Sequence, residues 1–316
     1  MNEVRLVEVT PAEAQQRLDN YLMRLLKGVP KSCIYRIIRA GEVRVNRKRA
    51  KPLTKLQAGD CVRIPPVRMS STEGAKPMVG EGLSRRLHDA IIHEDSHLIV
   101  LNKPAGLAVH GGSGLSFGVI EALRAMRTDS DYLELVHRLD RETSGCLLIA
   151  KRRSALRALQ ASLAAREVQK TYLALLNGRW TGSLTRTVNV ALEKNTRCQG
   201  ERHVSVSESG KPSRTVFRLL ENFADACLVE ASPLTGRTHQ IRVHAAHIGH
   251  PLVGDTRYGD PEAFPLCGEV YTRLCLHASA IRFTLSDKTL RFEAELDKHF
   301  NALLEKLRQK SEARHG

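Results

Sequence analysis

The feature that most constrains the fold of this chain is a stretch in which apolar periodicity disappears. Residues 68–82 read Arg-Met-Ser-Ser-Thr-Glu-Gly-Ala-Lys-Pro-Met-Val-Gly-Glu-Gly, a collection of Gly, Ser and Pro that is typical of a flexible linker. The whole chain has 316 residues, and a single hydrophobic core stops growing at about 250 to 300 residues. We therefore predict two domains, separated by a linker over residues 68–88.

Positive charge is concentrated before this linker. Residues 1–68 contain fifteen Lys and Arg and six Asp and Glu, a net charge of +9 out of +15 for the whole chain. Such a field attracts polyanions, so nucleic acid is the first partner to consider. The alternative, that these side chains only solubilise the surface, stays open. The candidates for phosphate contacts are Arg36, Arg39, Arg44, Arg47, Lys48, Arg49 and Lys51.

Apolar spacing in the first domain predicts two helices followed by a hairpin. Leu18, Tyr21, Leu22, Leu25 and Leu26 recur at helical spacing, which indicates a helix over residues 14–26. A second helix is predicted over residues 31–40 and should end at the following glycine, a residue favoured just after a helix. Residues 43–46 and 61–64 alternate apolar and basic side chains, as half-buried strands do.

The second domain shows adjacent short strands rather than a regular alternation of strand and helix. This pattern favours a mixed or largely antiparallel sheet of the α+β class. We expect a helix that Ser154 caps and that continues to residue 167, and we assign Gln240-Ile-Arg-Val-His244 to a strand. The predicted apolar strands are residues 98–102, 146–150, 170–176, 226–230 and 280–284.

Several classes of protein are disfavoured by what the sequence lacks. No phosphate-binding lysine loop or dinucleotide glycine motif occurs, so we expect no nucleotide cofactor. The seven cysteines are irregularly spaced and form no Cys-x-x-Cys pair, which predicts neither a disulfide framework nor a zinc ribbon. The apolar stretches are far shorter than the roughly 20 residues of a membrane span. We expect a cytoplasmic monomer with no membrane partner.

Four polar patches interrupt the apolar strands of the second domain, at residues 102–112, 137–145, 170–172 and 236–244. Such positions often carry binding and catalytic groups. In the second patch, Asp140 lies between Arg138 and Arg141, whose charges favour an ionised carboxylate. Taken alone, an aspartate in such a loop is more often a turn cap or the partner of a neighbouring arginine.

The string His137-Arg-Leu-Asp-Arg-Glu-Thr-Ser-Gly145 resembles the signature of the RluA family of pseudouridine synthases. The other three patches resemble that family's companion motifs in the same order. In the first domain, Arg-Leu-Asp-Asn20 and Ile-Arg-Ala-Gly-Glu-Val-Arg-Val-Asn46 resemble the helix-helix-hairpin RNA-binding module of the S-four type. The resemblance implies an RNA-binding domain over 16–67 and a mixed, largely antiparallel catalytic domain over 89–308.

The resemblance also implies roles for individual residues. Asp140 would be the catalytic aspartate, Arg242 would hold it anionic, and Tyr172 would stack on the uracil and accept the proton of ring carbon 5. Taken alone, the arginine is more often a sheet-face ion-pair partner and the tyrosine half-buried packing. Arg257 would be a further RNA contact. The residues implied to bind the substrate are His137, Arg138, Arg141 and Ile241.

The activity implied by the resemblance is the isomerisation of uridines to pseudouridine in large-subunit ribosomal RNA. It would need no cofactor and no metal, and we expect the closely spaced His239, His244, His247 and His250 to hold none, because no carboxylate or cysteine completes a ligand set. Three alternatives stay open: a synthase for another RNA such as tRNA, a non-catalytic RNA-binding or ribosome-assembly protein, and a glycosidase with a second essential carboxylate such as Glu142.

Overall fold

The computed structural model describes residues 4–26, 29, 31–67, 79–111, 118–127, 132–196, 202–260, 262 and 265–313. The chain forms two compact units, residues 1–76 and 77–316. Each unit has a hydrophobic core of its own, as separate domains do. In the described segments, no helix is both long and apolar enough to cross a membrane.

In the first unit, two helices share a core with a four-stranded sheet. The sheet order is β1-β4-β2-β3, and all paired strands are antiparallel. The predicted helix-helix-hairpin arrangement is confirmed, with β1 as an additional strand. The described elements are β1 (Arg5–Glu8), a 3-10 turn (Pro11–Glu13), α1 (Leu18–Leu25), α2 (Lys31–Arg39), β2 (Arg44–Val45), β3 (Lys48–Arg49) and β4 (Cys61–Ile64).

The ends of the two helices follow from local backbone geometry. Helix α1 starts later than the spacing predicts, because Gln15 adopts a left-handed φ of 66° that interrupts the helical backbone. Helix α2 ends before Gly41, which has a φ of 74°, as predicted. The amides of Gly41 and Glu42 donate to the carbonyls of Ile38 and Ile37, which satisfies the last turn. The basic hairpin, formed by β2 and β3, follows this turn.

The second unit contains the remaining described elements. The helices are α3 (Glu81–Asp89), α4 (Val119–Met126), α5 (Arg153–Ala165), α6 (Gln240–His247) and α7 (Lys298–Glu312). The strands are β5 (Ile91–Glu94), β6 (Leu98–Lys103), β7 (Glu134–Leu135), β8 (Ser144–Ala150), β9 (Gln169–Asn177), β10 (Thr185–Asn189), β11 (Leu192–Thr196), β12 (Arg202–Val206), β13 (Arg214–Asn222), β14 (Ala226–Pro233), β15 (Leu276–Leu285) and β16 (Lys288–Glu293).

One large sheet organises this unit. Its main path runs β10-β13-β14-β9-β15-β8-β6-β5, with β16 paired to β15 and β7 paired to β8. Among the described pairs only β8 and β15 are parallel. Strands β11 and β12 form a separate two-stranded hairpin. The predicted mixed, largely antiparallel α+β fold is confirmed.

Strand β8 is buried along its whole length because helices cover both faces of the sheet. Leu147 and Ile149 belong to the core that also contains residues of α3 and α4. Leu148, on the opposite face, packs in the core that contains Ala155 and Leu159 of α5. A strand covered on both faces has a continuous run of apolar residues, which explains why the sequence predicts β8 correctly.

The predicted linker is wrong over its second half. Residues 81–88 belong to α3, and Leu87 is fully buried in the core of the second unit. Leu83 packs against the same core, four residues earlier on the same helical face. This short apolar repeat is masked by the Gly, Ser and Arg residues around it. Residues 68–78 of the predicted linker lie outside the described residues.

Two further sequence predictions are corrected. The N-cap of helix α5 is Arg152, two residues before the predicted cap, and it makes no side-chain capping bond, so Ser154 lies inside the first turn. The segment Gln240–His244 is helical and not a strand. Its polar and apolar residues alternate in sequence, but α6 is buried on every side from Gln240 to Ala245 and therefore has no amphipathic stripe.

Candidate active site

A cleft in the second unit lies where the loop before β8, the start of β9, the end of β14 and the start of α6 meet. It brings together three of the four polar patches of the sequence. The residues lining it are Arg138, Leu139, Asp140, Thr143, Lys170, Tyr172, Pro233, Thr235, Gly236, Arg237, His239, Gln240, Ile241, Arg242 and Leu276.

Asp140 lies on the loop that leads into β8. The carbonyl of Asp140 accepts a hydrogen bond from the amide of Thr143 at 3.2 Å, which closes a tight turn. Its side chain is 32% exposed and borders the cleft. Gly145 follows with a φ of 106°, and a Cβ there would overlap the carbonyl of Ala278 on the parallel strand β15. The glycine thus lets β15 approach the strand that carries the Asp140 loop.

Arg242 lies on the first turn of α6 and contacts two carboxylates. Its Nε and Nη2 atoms donate to the two carboxylate oxygens of Asp255, each at 2.7 Å. Its Nη1 atom is 3.9 Å from Oδ2 of Asp140. Burial alone would raise the pKa of Asp255, but the hydrogen bonds from Arg242 lower it below its usual value. The guanidinium is therefore held rigidly by Asp255 while facing Asp140.

Asp255 was not predicted as a catalytic residue, although the resemblance implied that its loop, residues 254–259, lies near the active site. The residue is 1% exposed, and its Oδ1 atom also accepts the amides of Arg257 and Tyr258. One carboxylate thereby fixes both the arginine of the cleft and the backbone of the loop over residues 255–259.

Tyr172 forms one wall of the cleft on β9, and Ile241 forms another on α6. The two side chains are 9% and 6% exposed. Burial, and then the negative charge of Asp140, raise the pKa of Tyr172 well above its usual value. The phenol is therefore protonated at neutral pH, a state that suits packing against a ligand, and its role as a proton acceptor stays a prediction.

His239 is a cleft residue for which sequence reasoning considered only a metal-binding role. It has a left-handed backbone with a φ of 53° and precedes α6 as the N-cap. Its Nδ1 atom is 2.7 Å from the hydroxyl of Tyr258, and its Nε2 atom is 3.8 Å from Oδ2 of Asp140. Burial lowers the pKa of His239 to about 4, so the ring is neutral at physiological pH.

Lys103, in the first polar patch, is completely buried and fixes the loop that carries Asp140. Its Nζ atom donates to the carbonyls of Pro104 and Leu107 at 2.9 Å and to that of Arg141 at 3.0 Å. These three bonds satisfy all three donors of an ammonium group, although burial lowers its pKa to about 7. The lysine ties the segment after β6 to the residue that follows Asp140.

The predicted substrate-binding residues divide into two groups. Arg138 and Ile241 line the cleft, and Arg138 is exposed. His137 and Arg141 are not among the cleft-lining residues. The Nε2 atom of His137 accepts the amide of Leu148 on β8, and Nε of Arg141 donates to the carbonyl of Gly106. These contacts hold the loop in place rather than face the cleft.

The predicted RNA-binding residues of the first unit are all exposed and lie on α2 and the hairpin that follows it. In the register of β2 and β3, Arg44 pairs with Arg49 and Val45 with Lys48, so basic side chains are adjacent across the hairpin. Arg36 forms an ion pair with Glu42 at 3.3 Å. In the second unit, Arg257 is exposed on the loop that Asp255 holds.

The histidines after position 239 point to different partners. The Nε2 atom of His244 is 2.8 Å from Oγ of Ser213, in the core. His250 stacks on Trp180, and its Nδ1 atom is 3.0 Å from the carbonyl of Asn177. Within the described part of the chain, no group of three or more His, Cys, Asp and Glu side chains could hold a metal ion.

Comparisons with known proteins agree with this geometry. Residues 97–247 match the family described as RNA pseudouridylate synthase, and residues 16–62 match the S4 domain. The chain is 53% identical over 311 residues to ribosomal large subunit pseudouridine synthase C of Haemophilus influenzae, covering 98% of this chain and 96% of that protein. Its counterpart in Escherichia coli strain K12 is 54% identical over 312 residues, with coverages of 96% and 97%.

The fold has solved relatives as well. The structure titled human RNA Pseudouridylate Synthase Domain Containing 4 superimposes with a TM-score of 0.61 at 26% identity, covering 72% of this chain and 96% of that one. The structure titled human RNA Pseudouridylate Synthase Domain Containing 1 gives 0.56 at 26% identity, covering 71% and 94%. The predicted resemblance is confirmed, and the chain belongs to the RNA pseudouridylate synthase family.

Proposed function

We propose that this chain converts specific uridines of large-subunit ribosomal RNA to pseudouridine, with Asp140 as the catalytic carboxylate. The observation that carries the proposal is the position of Asp140: a partly exposed carboxylate at a cleft, 3.9 Å from a guanidinium that another residue holds in place. The names of the two bacterial relatives supply the large-subunit target.

The reaction is an isomerisation. The bond between ring nitrogen 1 of uracil and the anomeric carbon breaks, the base turns, and a bond forms between ring carbon 5 and the same carbon. Carbon 5 loses its proton and nitrogen 1 carries one in the product, so no oxidant, reductant or nucleotide is consumed. We propose accordingly that the chain acts without a cofactor.

An ionised carboxylate serves each route by which the bond can break. It can attack the sugar, attack the base, or abstract the proton of the second sugar carbon, as carboxylates do in related glycosidic chemistry. The positively charged guanidinium of Arg242 faces Oδ2 of Asp140 at 3.9 Å and gives the carboxylate a fixed partner. Since Asp255 neutralises much of that charge, the arginine orients Asp140 without forming a tight ion pair that would bury the nucleophile.

The remaining walls of the cleft suit an extruded base. Tyr172 and Ile241 offer an aromatic and an aliphatic surface on which uracil can stack while it is detached. Arg138, an exposed residue of the cleft, would enter the RNA stack as the uridine leaves it, because extruding the base costs about a few kcal/mol. Because Tyr172 is protonated in the free chain, it can accept the proton of carbon 5 only after its own proton has left.

In this proposal the two domains have different functions. Residues 16–67 supply affinity for folded RNA through their basic surface, and residues 89–308 supply the chemistry. Deleting residues 1–68 should weaken RNA binding and flatten its dependence on salt, because fewer counterions are then released. An unchanged salt dependence would contradict this role. We also propose that the chain works as a cytoplasmic monomer, which light scattering of the purified protein tests.

The decisive experiment is pseudouridine mapping of total ribosomal RNA by carbodiimide treatment and primer extension. Cells with the intact gene, without it, and with Asp140→Asn are compared. We expect the same large-subunit positions to lose pseudouridine in both mutants. If the deletion strain keeps every large-subunit site, that target is wrong, and transfer RNA is mapped next. If only Asp140→Asn keeps them, Asp140 is not the catalytic group.

A further inference from the structure

A hydrogen-bonded chain runs from the separate hairpin into the cleft. The amide of Val204, on β12, donates to the hydroxyl oxygen of Tyr258 at 3.1 Å. The same hydroxyl is 2.7 Å from Nδ1 of His239, and Nε2 of His239 faces Oδ2 of Asp140 at 3.8 Å. Two side chains distant in sequence, Tyr258 and His239, thus connect a backbone amide to the proposed catalytic carboxylate.

The direction of these bonds follows from the donors available. A backbone N–H can only donate, so the Tyr258 oxygen accepts from Val204. The hydroxyl can donate its own proton to Nδ1 of His239, 2.7 Å away. With Nδ1 as the acceptor, the single proton of the neutral imidazole lies on Nε2.

We propose that His239 is a positioning residue for Asp140: Tyr258 fixes the ring in the Nε2–H tautomer, so that a neutral donor faces the carboxylate beside the charged donor of Arg242. The proposal rests on the proposed role of Asp140. The distance of 3.8 Å between Nε2 of His239 and Oδ2 of Asp140 is longer than a hydrogen bond, and a small rotation of the Asp140 side chain would close it.

Two donors of different character then control the carboxylate. Arg242 presents a positive charge to Asp140. The neutral imidazole of His239 orients the same carboxylate through an N–H donor and adds no charge to the pair of Arg242 and Asp140. Burial keeps His239 neutral, because the low pKa of about 4 prevents it from gaining a proton near neutral pH. A second positive charge here would hold Asp140 more tightly and make it a weaker nucleophile or base.

The loop that places Tyr258 depends on the same carboxylate that holds Arg242. Asp255 accepts the amide of Tyr258 at 3.1 Å, and the Arg242 guanidinium lies 5.0 Å from the centre of the Tyr258 ring. Leu192 and Val204 of the hairpin pack against Val243 of α6, with Tyr258 beside them. The hairpin β11–β12, which lies outside the large sheet, therefore contributes to the geometry of the site.

The first test measures the tautomer directly, on the full chain without RNA. Long-range proton–nitrogen spectra of ¹⁵N-histidine-labelled protein distinguish a protonated Nε2 from a protonated Nδ1, and His239→Asn assigns the signals by their disappearance. We expect the Nε2–H form in the wild type and a mixture of tautomers in Tyr258→Phe. A wild-type ring protonated on Nδ1, or an unchanged tautomer in Tyr258→Phe, would overturn the proposal.

The second test is kinetic and uses variants that keep the fold. Tyr258→Phe removes one oxygen and retains the ring over Arg242; we expect kcat to fall about tenfold with KM for RNA unchanged, the effect of one hydrogen bond. Tyr271→Phe removes a hydroxyl bound to Glu269, away from the cleft, and should leave kcat unchanged. Equal kcat in wild type and Tyr258→Phe would contradict the role of the hydroxyl.

Variants of the histidine separate positioning from folding. Asn is well tolerated at a left-handed position but is too short to reach Asp140, so His239→Asn should lose kcat and keep its unfolding midpoint. His239→Gln restores an N–H donor near the position of Nε2 and should recover part of the loss. Adding Tyr258→Phe to His239→Gln should have no further effect, because an amide has no tautomer to fix; additive losses would refute the coupling.

These outcomes are distinguishable from a failure of the proposed function. If Asp140→Asn retains full activity, the assignment of the catalytic carboxylate fails, yet the tautomer of His239 is still measured independently. If Asp140→Asn is inactive and His239→Asn is fully active, the proposed function stands and the positioning role is excluded.

Discussion

Arg242 and Asp255 form a two-point ion pair in which Nε and Nη2 each donate at 2.7 Å, and both side chains are at most 10% exposed. Breaking a buried pair by removing one charge costs about 3–5 kcal/mol, because the other charge stays buried without compensation. We expect Asp255→Asn to lower the free energy of unfolding by about that much and to reduce activity strongly. Urea unfolding and tritium release from uridine-labelled RNA measure the two effects.

The matched control for this prediction is an exposed ion pair. Arg218 and Glu230 face each other across β13 and β14 at 3.0 Å, with Arg218 more than half exposed. Glu230→Gln makes the same chemical change as Asp255→Asn but on the surface, where water compensates the remaining charge. We expect only a small shift in its unfolding midpoint. Similar losses in the two variants would mean that the Arg242 pair does not act as a buried pair.

Gly145→Ala is expected to destabilise the second unit through a clash with the neighbouring strand. Gly145 has a φ of 106°, and its Cβ would overlap the carbonyl of Ala278. Gly182, with a φ of 82° and open space around it, is the control for backbone strain alone. We expect a loss of about 3 kcal/mol or more for Gly145→Ala and about 1 kcal/mol for Gly182→Ala, measured by urea unfolding. Equal losses of unfolding free energy in the two variants would show that the close contact between Gly145 and β15 does not contribute to the effect.

The stability of the protein should fall as the pH decreases from 6.5 towards 4, in part through His244. Burial lowers the pKa of His244 from 6.5 to about 4, so within this range the unfolded chain binds the proton and the folded chain does not. The contribution of His244 to the free energy of unfolding is therefore fully present above pH 6.5 and is lost as the pH falls through the pKa of the folded state. The total loss from this residue is at most roughly 3 kcal/mol.

The check is urea unfolding of wild type and His244→Gln between pH 7 and 4.5. Oγ of Ser213 donates to the carbonyl of Val190 at 2.6 Å and so accepts from Nε2 of His244, a bond that the glutamine amide can replace. The stability advantage of the wild type should shrink on acidification. A constant difference across the range would exclude His244 as a source of acid sensitivity.

The basic hairpin of the first unit should account for part of the salt dependence of RNA binding. We expect Arg47→Ala and Lys48→Ala each to reduce the slope of log affinity against log salt by about 1, because each removes one phosphate contact. Arg291 is also exposed but is paired with Glu293 at 2.7 Å, and Arg291→Ala serves as the control with no change in slope. Filter binding between 50 and 200 mM salt measures the slopes, and unchanged slopes in both hairpin variants would exclude the contacts.

The sequence predicts elements well where local pattern and tertiary burial agree. Strand β8 was recognised because a strand covered on both faces is apolar throughout, and the end of α2 because Gly41 needs a left-handed backbone. Asp140 and Arg242 were predicted near each other only through motif resemblance, since they come from separate polar patches. The structure places them 3.9 Å apart.

The sequence-based predictions are wrong or incomplete where tertiary contacts, rather than local sequence, determine the structure. Helix α6 reads as a strand because its residues alternate in polarity, while the packing around it buries polar and apolar side chains alike. The pairing of Asp255 with Arg242 has no local sequence signal, because the two residues are thirteen positions apart in different segments. Lys103 sits in a recognised motif, yet its three carbonyl acceptors become visible only when the loops before β8 and after β6 are folded together.

The position of β15 between β9 and β8 has a consequence for synthesis of the chain. Asp140 precedes β8 and Tyr172 lies on β9, but the strand that joins these two halves of the sheet begins only at Leu276. A nascent chain that has emerged up to residue 275 would lack the strand that pairs with β9 along one edge and with Ser144 and Gly145 of β8. The edge of β9 would then be unpaired, and unpaired strand edges can pair with other chains, so the ribosome-bound intermediate is exposed to aggregation until β15 is made.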